Sequence, residues 1–477
     1  MPIKRRVGLL IMSTVLGSNA LSGCSLAPHY TKPAFTTPVA YTDMGPWAPA
    51  SPDDAAPRGA WWTIYNDTTL DGLEQKIDTS NPTYAAALST YDAAIETATE
   101  AASAEYPLVD LNGYATQNRQ SEDRPLRNGL GPNNYGDNEL AGSFSYELDL
   151  WGRVRNLVAE GKAQAEASGA DAAAMRLSLE AQLADAYFNL RGLDAQVQLL
   201  TQTGADYQRA LQLTQQQHAG GIVSGLDVSQ AQTQYDTAVA QLSDAVAQRA
   251  LYQHEIATLI GVPAPSFVLA ANPNLPLPPP VPVAEPAVLL QRRPDVAAAE
   301  RRAAAANAQI GVARAAFFPT ISISATGGYE AEGGGINLFN LSNSFWSLGP
   351  SLALTLFDGG ERRAAARAAI DAFNEASSNY KSVALTAFQQ VEDNLVLSNE
   401  LAVEAAQQAD AVQAAAHTQD LSMTLYQDGA ITYLNVVTSQ TALLDTQRTA
   451  LSISTRRLQA SVNLIEALGG GWTGAQS

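Results

Sequence analysis

Histidine and cysteine, the residues most often found in metal, nucleophilic and redox sites, are sparse in this 477-residue chain. Its four histidines, His29, His218, His254 and His417, are too scattered for metal-ligand spacing. Ser and Asp abound in stretches that read as helix, but without a partnered histidine they read as solvated faces. The glycine run at 333–335 has no Lys-Ser or Lys-Thr behind it and so reads as a loop, not a phosphate cradle. One thiol is present, Cys24, which cannot form an internal disulfide. It ends Leu21-Ser22-Gly23-Cys24, a tetrapeptide similar to a bacterial lipobox, whose cysteine is acylated and becomes the new N-terminus. The competing reading is a chance cysteine beside an ordinary cleavage site. The expectation is a chain with no catalytic, cofactor-binding or metal site, whose covalent chemistry is lipidation of Cys24.

The residues around Cys24 support that reading. Lys4, Arg5 and Arg6 precede an apolar run at 7–16 and a small-residue site, the pattern of a secretory leader over 1–23. Ser25 follows the cysteine where an Asp favours inner-membrane retention, which suits the outer membrane. The formal net charge of −19 argues against nucleic acid, whose binding needs basic residues on phosphates, and against docking on an anionic lipid surface. No run of 18 apolar residues follows the leader, so membrane-spanning helices are not expected there.

The elements come as one unit used twice. Asn81-Pro82 and Tyr106-Pro107 recur as Arg293-Pro294 and Phe318-Pro319, both 212 residues on. Arg155 and Arg363, Gly221 and Gly429, Leu226 and Leu434, and Val228 and Val436 are each 208 apart. Each copy reads as a helix (82–105, 294–316), a two-stranded hairpin, a very long proline-free helix (152–219, 361–427), a Gly-marked turn and a further helix (226–260, 434–468). At 1.5 Å per residue each long helix runs about 100 Å, too long for a globular core. Val228, Ala231, Tyr235, Ala238, Leu242 and Ala245 alternate in steps of 3 and 4, a coiled-coil seam. Arg249 interrupts that seam, and Arg457 stands at the same place in the second copy. The two shorter helices of a copy, end to end, match the long one in length, which suggests a wall two helices wide. A solid antiparallel bundle or filament fits the same seams.

Four segments alternate with period 2: 108–115, 140–150, 320–329 and 347–356. In 140–150, Leu140, Gly142, Phe144, Tyr146, Leu148 and Leu150 oppose Ala141, Ser143, Ser145, Glu147 and Asp149. Each is long enough for a tilted strand to cross a bilayer, apolar side out. A half-buried soluble sheet alternates in the same way. Pro350 conflicts with its segment because it lacks an N–H; pairing that begins only at Ser351, or a bulge, is expected there. The polar, Gly-rich stretches 116–139 and 330–346 read as loops at the same end. Four strands cannot close a pore, since small barrels start at about eight. Three chains give twelve strands. Trp151 and Phe357, where strands turn into helices, suit either a membrane-interface belt or a crowded packing junction.

The chain resembles the outer-membrane factor family, the TolC-like trimeric channels, in its lipoprotein efflux branch (NodT/OprM-like). The residues that carry the resemblance are Cys24-Ser-Leu-Ala-Pro-His-Tyr-Thr-Lys-Pro33, Trp61-Trp62-Thr-Ile-Tyr-Asn-Asp67, Tyr146-Glu-Leu-Asp-Leu-Trp-Gly-Arg153, Arg292-Arg-Pro-Asp-Val296, Phe317-Phe-Pro-Thr-Ile321 and Leu356-Phe-Asp-Gly-Gly360. It implies a mostly α protein of two tandem repeats with a pair of membrane β-hairpins, assembled as a homotrimer into a twelve-stranded β-barrel continued by a long α-helical coiled-coil barrel. The implied divisions are a signal peptide 1–23, a lipidated extended segment 24–80, repeat 1 over 81–263, a Pro-rich equatorial connection 264–290, repeat 2 over 291–468 and a tail 469–477. At the periplasmic helix tips the resemblance places a gate. Asp227 and Tyr426 fall where an interhelical hydrogen bond restrains opening, a charge-assisted bond suited to a latch; two solvated tip residues are the alternative. Asn435 and Thr438 stand where some members carry acidic residues, and Ile431 where some carry a basic one. Gly221 and Gly429 match the glycines that meet a periplasmic adaptor, or they are ordinary helix C-caps. The implied function is a passive outer-membrane exit duct for small toxic compounds, fed by an inner-membrane pump through that adaptor. A duct for exported proteins and a lipid-anchored coiled-coil spacer without a pore are the other readings.

Overall fold

The computed structural model describes residues 25–35, 37, 58–123, 132–279, 292–333 and 335–470. The leader, Cys24 and residues 280–290 of the Pro-rich connection lie outside them. In chain order the elements are a 3-10 stretch Arg58–Tyr65, α1 (Thr68–Ser80), α2 (Pro82–Ser103), β1 (Leu108–Arg119), β2 (Asn134–Glu147), α3 (Arg153–Ala219), α4 (Gly225–Leu259), α5 (Pro294–Ala315), β3 (Thr320–Ala331), β4 (Ser344–Ala353), α6 (Glu361–Gln427) and α7 (Tyr433–Ala467). The corresponding helices of the two copies have equal lengths: 22 residues for α2 and α5, 67 for α3 and α6, 35 for α4 and α7. Among the described residues no helix is long and apolar enough to cross a membrane.

The chain divides into two compact units: Met1–Pro33 with Asp92–Ser168 and Ala299–Tyr380, and Ala34–Tyr91 with Gly169–Ala298 and Lys381–Ser477. The first holds one four-stranded antiparallel sheet in the order β1-β2-β3-β4, so the hairpins of the two copies are joined through β2 and β3. Residues paired across the ladders share a face. Val109, Phe144, Ala325 and Leu348 form one such row, and Leu111, Gly142, Gly327 and Trp346 the next. The opposite face carries Asp110, Ser143, Thr326 and Ser347, with Asp137, Glu139, Glu147 and Glu330 along its length. The apolar face is bare: Leu111 is 75% exposed, Trp346 82% and Leu348 68%.

The strands differ from their sequence-read limits. β1, β2, β3 and β4 reach into stretches expected to be loops, while the chain leaves the ladder after the Leu148 N–H bonds to Ile321 O, so Asp149 and Leu150 are unpaired with β3. The reason lies at the junction with α3: Asp149 accepts hydrogen bonds from the backbone N–H of Val154 and Arg155 at 3.1 and 2.9 Å, so these residues already cap the helix. Asp358 does the same for Gly360 and Arg362 before α6. Trp151 stacks on Phe318, with centroids 4.7 Å apart, and donates to the Pro319 carbonyl, which makes it a packing residue; Phe357 is 89% exposed.

Pro350 neither delays pairing nor sits in a bulge, since its register partner is Ile323 in an unbroken ladder. Leu148 N–H donates to Ile321 O, so the backbone of Ile321, and of Ile323 two residues on, points toward β2. Pro350 therefore occupies a non-hydrogen-bonded pair, and its missing donor falls on the free outer edge of β4.

The segment after Cys24 is held in the first unit. Ser25 Oγ donates to Asn156 Oδ1 at 3.0 Å, Asn307 donates to the Pro28 carbonyl at 2.9 Å, and Tyr30 Oη donates to Glu300 Oε1 at 2.6 Å. Gly311 makes room for it: a Cβ there would lie 2.8 Å from Ala27 Cβ and 2.4 Å from Asn156 Nδ2.

The second unit resolves the charge in the coiled-coil seam. Arg249 on α4 pairs with Asp194 on α3, whose side chain is almost wholly buried, and Arg191 pairs with the same carboxylate. The two guanidinium groups also donate to the carbonyls of Leu269 and Ala270, each at 2.8 Å, while Asn272 N–H donates to Asp194. One buried carboxylate thus ties two helices to the start of the connecting strap. In the second copy Ala402 and Asn399 stand where Asp194 and Arg191 would be, so Arg457 has no such partner. Nearby, Trp61, Trp62 and Tyr65 pack with Tyr187 and Phe188, and Trp61 Nε1 donates to Glu180 at 2.9 Å.

Removing one partner of a buried ion pair leaves uncompensated charge, a loss of about 3–5 kcal/mol. Asp194→Ala strands two arginines and is expected to lower stability by that order in a denaturation series followed by circular dichroism. Arg457→Ala is expected to cost under about 1 kcal/mol. Equal effects would contradict the role given to Asp194.

Candidate functional site

No described residues form a cluster able to hold a metal ion. The two surfaces with functional character are the two-faced sheet and the turns where the helices of the second unit reverse. Each turn is built from a glycine. Gly221 N–H donates to His218 O and Ile222 N–H to Gln217 O; Gly429 N–H donates to Tyr426 O and Ala430 N–H to Leu425 O. These are paired Schellman motifs, which require the left-handed backbone that Gly221 (φ 73°) and Gly429 (φ 75°) adopt. Both glycines are C-caps. Nothing lies within 4 Å of a Cβ built on either, so their outer surface is open as well.

Beyond the first turn, Ser224 caps α4. Ser224 Oγ accepts from Asp227 N–H, and Asp227 Oδ2 accepts from Ser224 N–H at 3.0 Å and Ser224 Oγ at 2.8 Å. This is a reciprocal capping box, and its Ser-x-x-Asp spacing is legible in the sequence. Within the chain, the bond expected between Asp227 and Tyr426 is not made. Ser224 offers its donors three residues away, with almost no chain entropy to lose, and takes the carboxylate. The Tyr426 phenol donates instead to Gln217 Oε1 at 2.9 Å, which links α6 to α3. Gln217 was not foreseen; a neutral side chain one turn before Gly-Gly carries no distinctive signal.

Tyr426 sits in an apolar cluster with Leu211, Ala231, Tyr433 and Val436, against which Ile431, Val228 and Met423 pack. Its ring meets Tyr433 edge-on at 5.2 Å. Ile431 is therefore part of the tip core. Asn435 and Thr438 are exposed one turn apart on α7, and both are satisfied locally: Asn435 donates to Thr432 Oγ1 at 3.1 Å and Thr438 to Leu434 O at 2.9 Å. Burial raises both phenols above the ordinary tyrosine value, Tyr433 to about 12, and the Asp227 charge adds to the shift in each. Asp227 thus influences the tyrosines electrostatically without bonding to them.

With this geometry in place, comparison with known proteins is informative. The family model "Outer membrane efflux protein" matches residues 73–262 and 286–470. The toluene efflux pump outer membrane protein TtgC of Pseudomonas putida is 29% identical over 468 residues, covering 97% of this chain and 96% of that protein. The outer membrane protein OprJ of Pseudomonas aeruginosa is 31% identical over 492 residues, covering 98% and 97%. Among solved structures, the outer-membrane channel OprN superposes with a TM-score of 0.87 at 26% identity, covering 94% of this chain and all of that one.

A raised phenol pKa means the folded state holds its proton longer than the unfolded state. The contribution of Tyr433 to stability is thus complete below about pH 10 and is lost as pH rises toward 12. Titration of tyrosinate absorbance, wild type minus Tyr433→Phe, is expected to show one phenol ionising near 12; a difference centred at 10 would contradict its burial.

Proposed function

The chain belongs to the outer membrane efflux protein family, and from that premise we propose that three copies form a continuous duct through the outer membrane and periplasm. It is a non-enzymatic outer-membrane component of an efflux system. Four strands from each chain complete a twelve-stranded barrel. A periplasmic adaptor engages the tip turns at Gly221 and Gly429 and couples the duct to an energised inner-membrane pump. Acylated Cys24 anchors the N-terminal segment in outer-membrane lipid. The cargo is small toxic organic compounds, a class that includes the toluene in the printed name of one relative. Asn435 and Thr438 face the constriction, and the Tyr426–Gln217 bond restrains its opening.

The observation that carries the assembly is the sheet. Its apolar face fits acyl chains and its acidic face fits water, yet β1 and β4 each end in an unpaired edge. Unpaired backbone groups in hydrocarbon cost several kcal/mol each, so membrane insertion demands that β4 of one copy pair with β1 of the next. The carboxylates Asp110, Asp137, Glu139 and Glu330 then line the passage and favour cations.

The purified chain is expected to run as a trimer in detergent and to give stepwise, cation-preferring conductance in planar bilayers. A solitary particle without conductance would overturn the reading. The seam offers a second check. Pro350 leaves one acceptor of the neighbouring β1 unpaired, so Pro350→Ala should add a bond worth about 0.5–1.5 kcal/mol per seam and raise the temperature at which the trimer dissociates. An unchanged temperature would argue against the β4–β1 seam.

A further inference from the structure

Two apolar clusters stabilise the helices of the second unit. One surrounds Tyr426 and includes Met423; the other joins Leu200, Ala245 and Leu444, with Leu199 packed against it. Met423, Leu199 and Leu444 also line a half-open cavity of about 370 Å³ bounded by α3, α6 and α7. Side chains ordinarily close such a space. Here two deeply buried polar groups line it instead. Tyr207 is 4% exposed and Gln440 5%, and neither Tyr207 Oη nor Gln440 Oε1 has a hydrogen-bond partner. Buried groups of this kind are nearly always satisfied, and leaving them unmet is costly. The Asp206–Arg209 ion pair at the rim is already engaged, with Gln202 donating to the same carboxylate, and so does not answer them.

We propose that this cavity is a binding site for a small amphipathic organic molecule carrying a hydrogen-bond donor and acceptor side by side on an apolar body, such as an aryl amide or sulfonamide. Tyr207 Oη donates to the ligand's acceptor, and burial holds the phenol's pKa at about 12, so the proton is present at any physiological pH. Gln440 Oε1 accepts from the ligand's donor. Leu213, Met423 and Leu444 hold the apolar body. Because Gln440 lies on α7, two residues past Thr438, an occupant braces that helix against α3 and α6. The site rests on these side chains and does not require the duct reading.

Dansylamide has the required donor, acceptor and apolar ring, and its fluorescence reports transfer to an apolar site. Titrated into the full chain in detergent, it should give a saturable signal and raise the melting temperature, as any ligand selective for the folded state does. Tyr207→Phe and Gln440→Leu should each weaken binding by about three- to tenfold, the effect of losing one hydrogen bond. Circular dichroism without the probe checks that both variants fold. An unsaturable signal, or one equal in wild type and both variants, would mean partition into micelles or an adventitious additive only, and would overturn the site. Conductance of the probe-free protein is measured separately, so failure of the duct and failure of the cavity are distinguishable.

Discussion

A backbone amide or carbonyl that enters hydrocarbon must have a partner, and the two outer strands of this sheet leave a row of such groups without one. Their parity is fixed by the observed bonds. Gln120 N–H donates to Asn133 O, so even-numbered β1 residues face β2, and Val109, Leu111 and Gly113 direct their backbone groups outward. On β4 the outward set is even-numbered and includes Trp346, Leu348 and Pro350. The same residues carry the apolar side chains. One alternation in sequence thereby sets both the surface for lipid and the edge for a second copy, so the sheet cannot satisfy its lipid-facing side while remaining alone.

Duplication explains why so few residue types suffice for so long a chain. Equal helix lengths in the two copies follow from repeating one unit, and the tip turns repeat as well, glycine for glycine and hydrogen bond for hydrogen bond. The copies part at the strap after α4, where Asp194 and Arg191 of the first copy correspond to Ala402 and Asn399 of the second. Arg249 is therefore a residue of the repeat recruited to hold the strap that follows its own helix. Its charge does not weaken the seam, because the strap's carbonyls and a buried carboxylate receive it.

Much of this was legible in the sequence, for physical reasons that also explain the gaps. The six helices of the two copies were read within about two residues because proline is absent inside them and glycine marks the ends of the long ones, whereas α1 lies in a stretch expected to be extended. The strands were misplaced by several residues at the loop side. Thr116 to Arg119 and Asn134 to Asn138 show no apolar alternation, and their pairing comes from the partner backbone, which side-chain pattern does not report. At the other end, Leu148 and Leu150 keep the alternation although Asp149 has already turned the chain toward α3. The C-cap role of Gly221 and Gly429 follows from φ and the turn hydrogen bonds, while Pro350 needed the bond parity of a strand two ladders away.

The tip shows why a resemblance transfers positions more securely than bonds. Asp227 and Tyr426 occupy the expected turns, yet the carboxylate has a choice between a local partner and a distant one. Ser224 wins because a capping box satisfies two otherwise unpaired donors within one turn. The phenol then meets a neutral carboxamide, and such a bond contributes only about 1 kcal/mol net, roughly half a charge-assisted one. Restraint at this end consequently rests more on the packed rings of Tyr426 and Tyr433 with Val436 than on hydrogen bonding. Rings in edge-on contact can slide with modest loss, whereas a salt bridge breaks outright. Within the chain, separating these helices would expose the apolar area of this cluster, so packing is the larger hold on the tip.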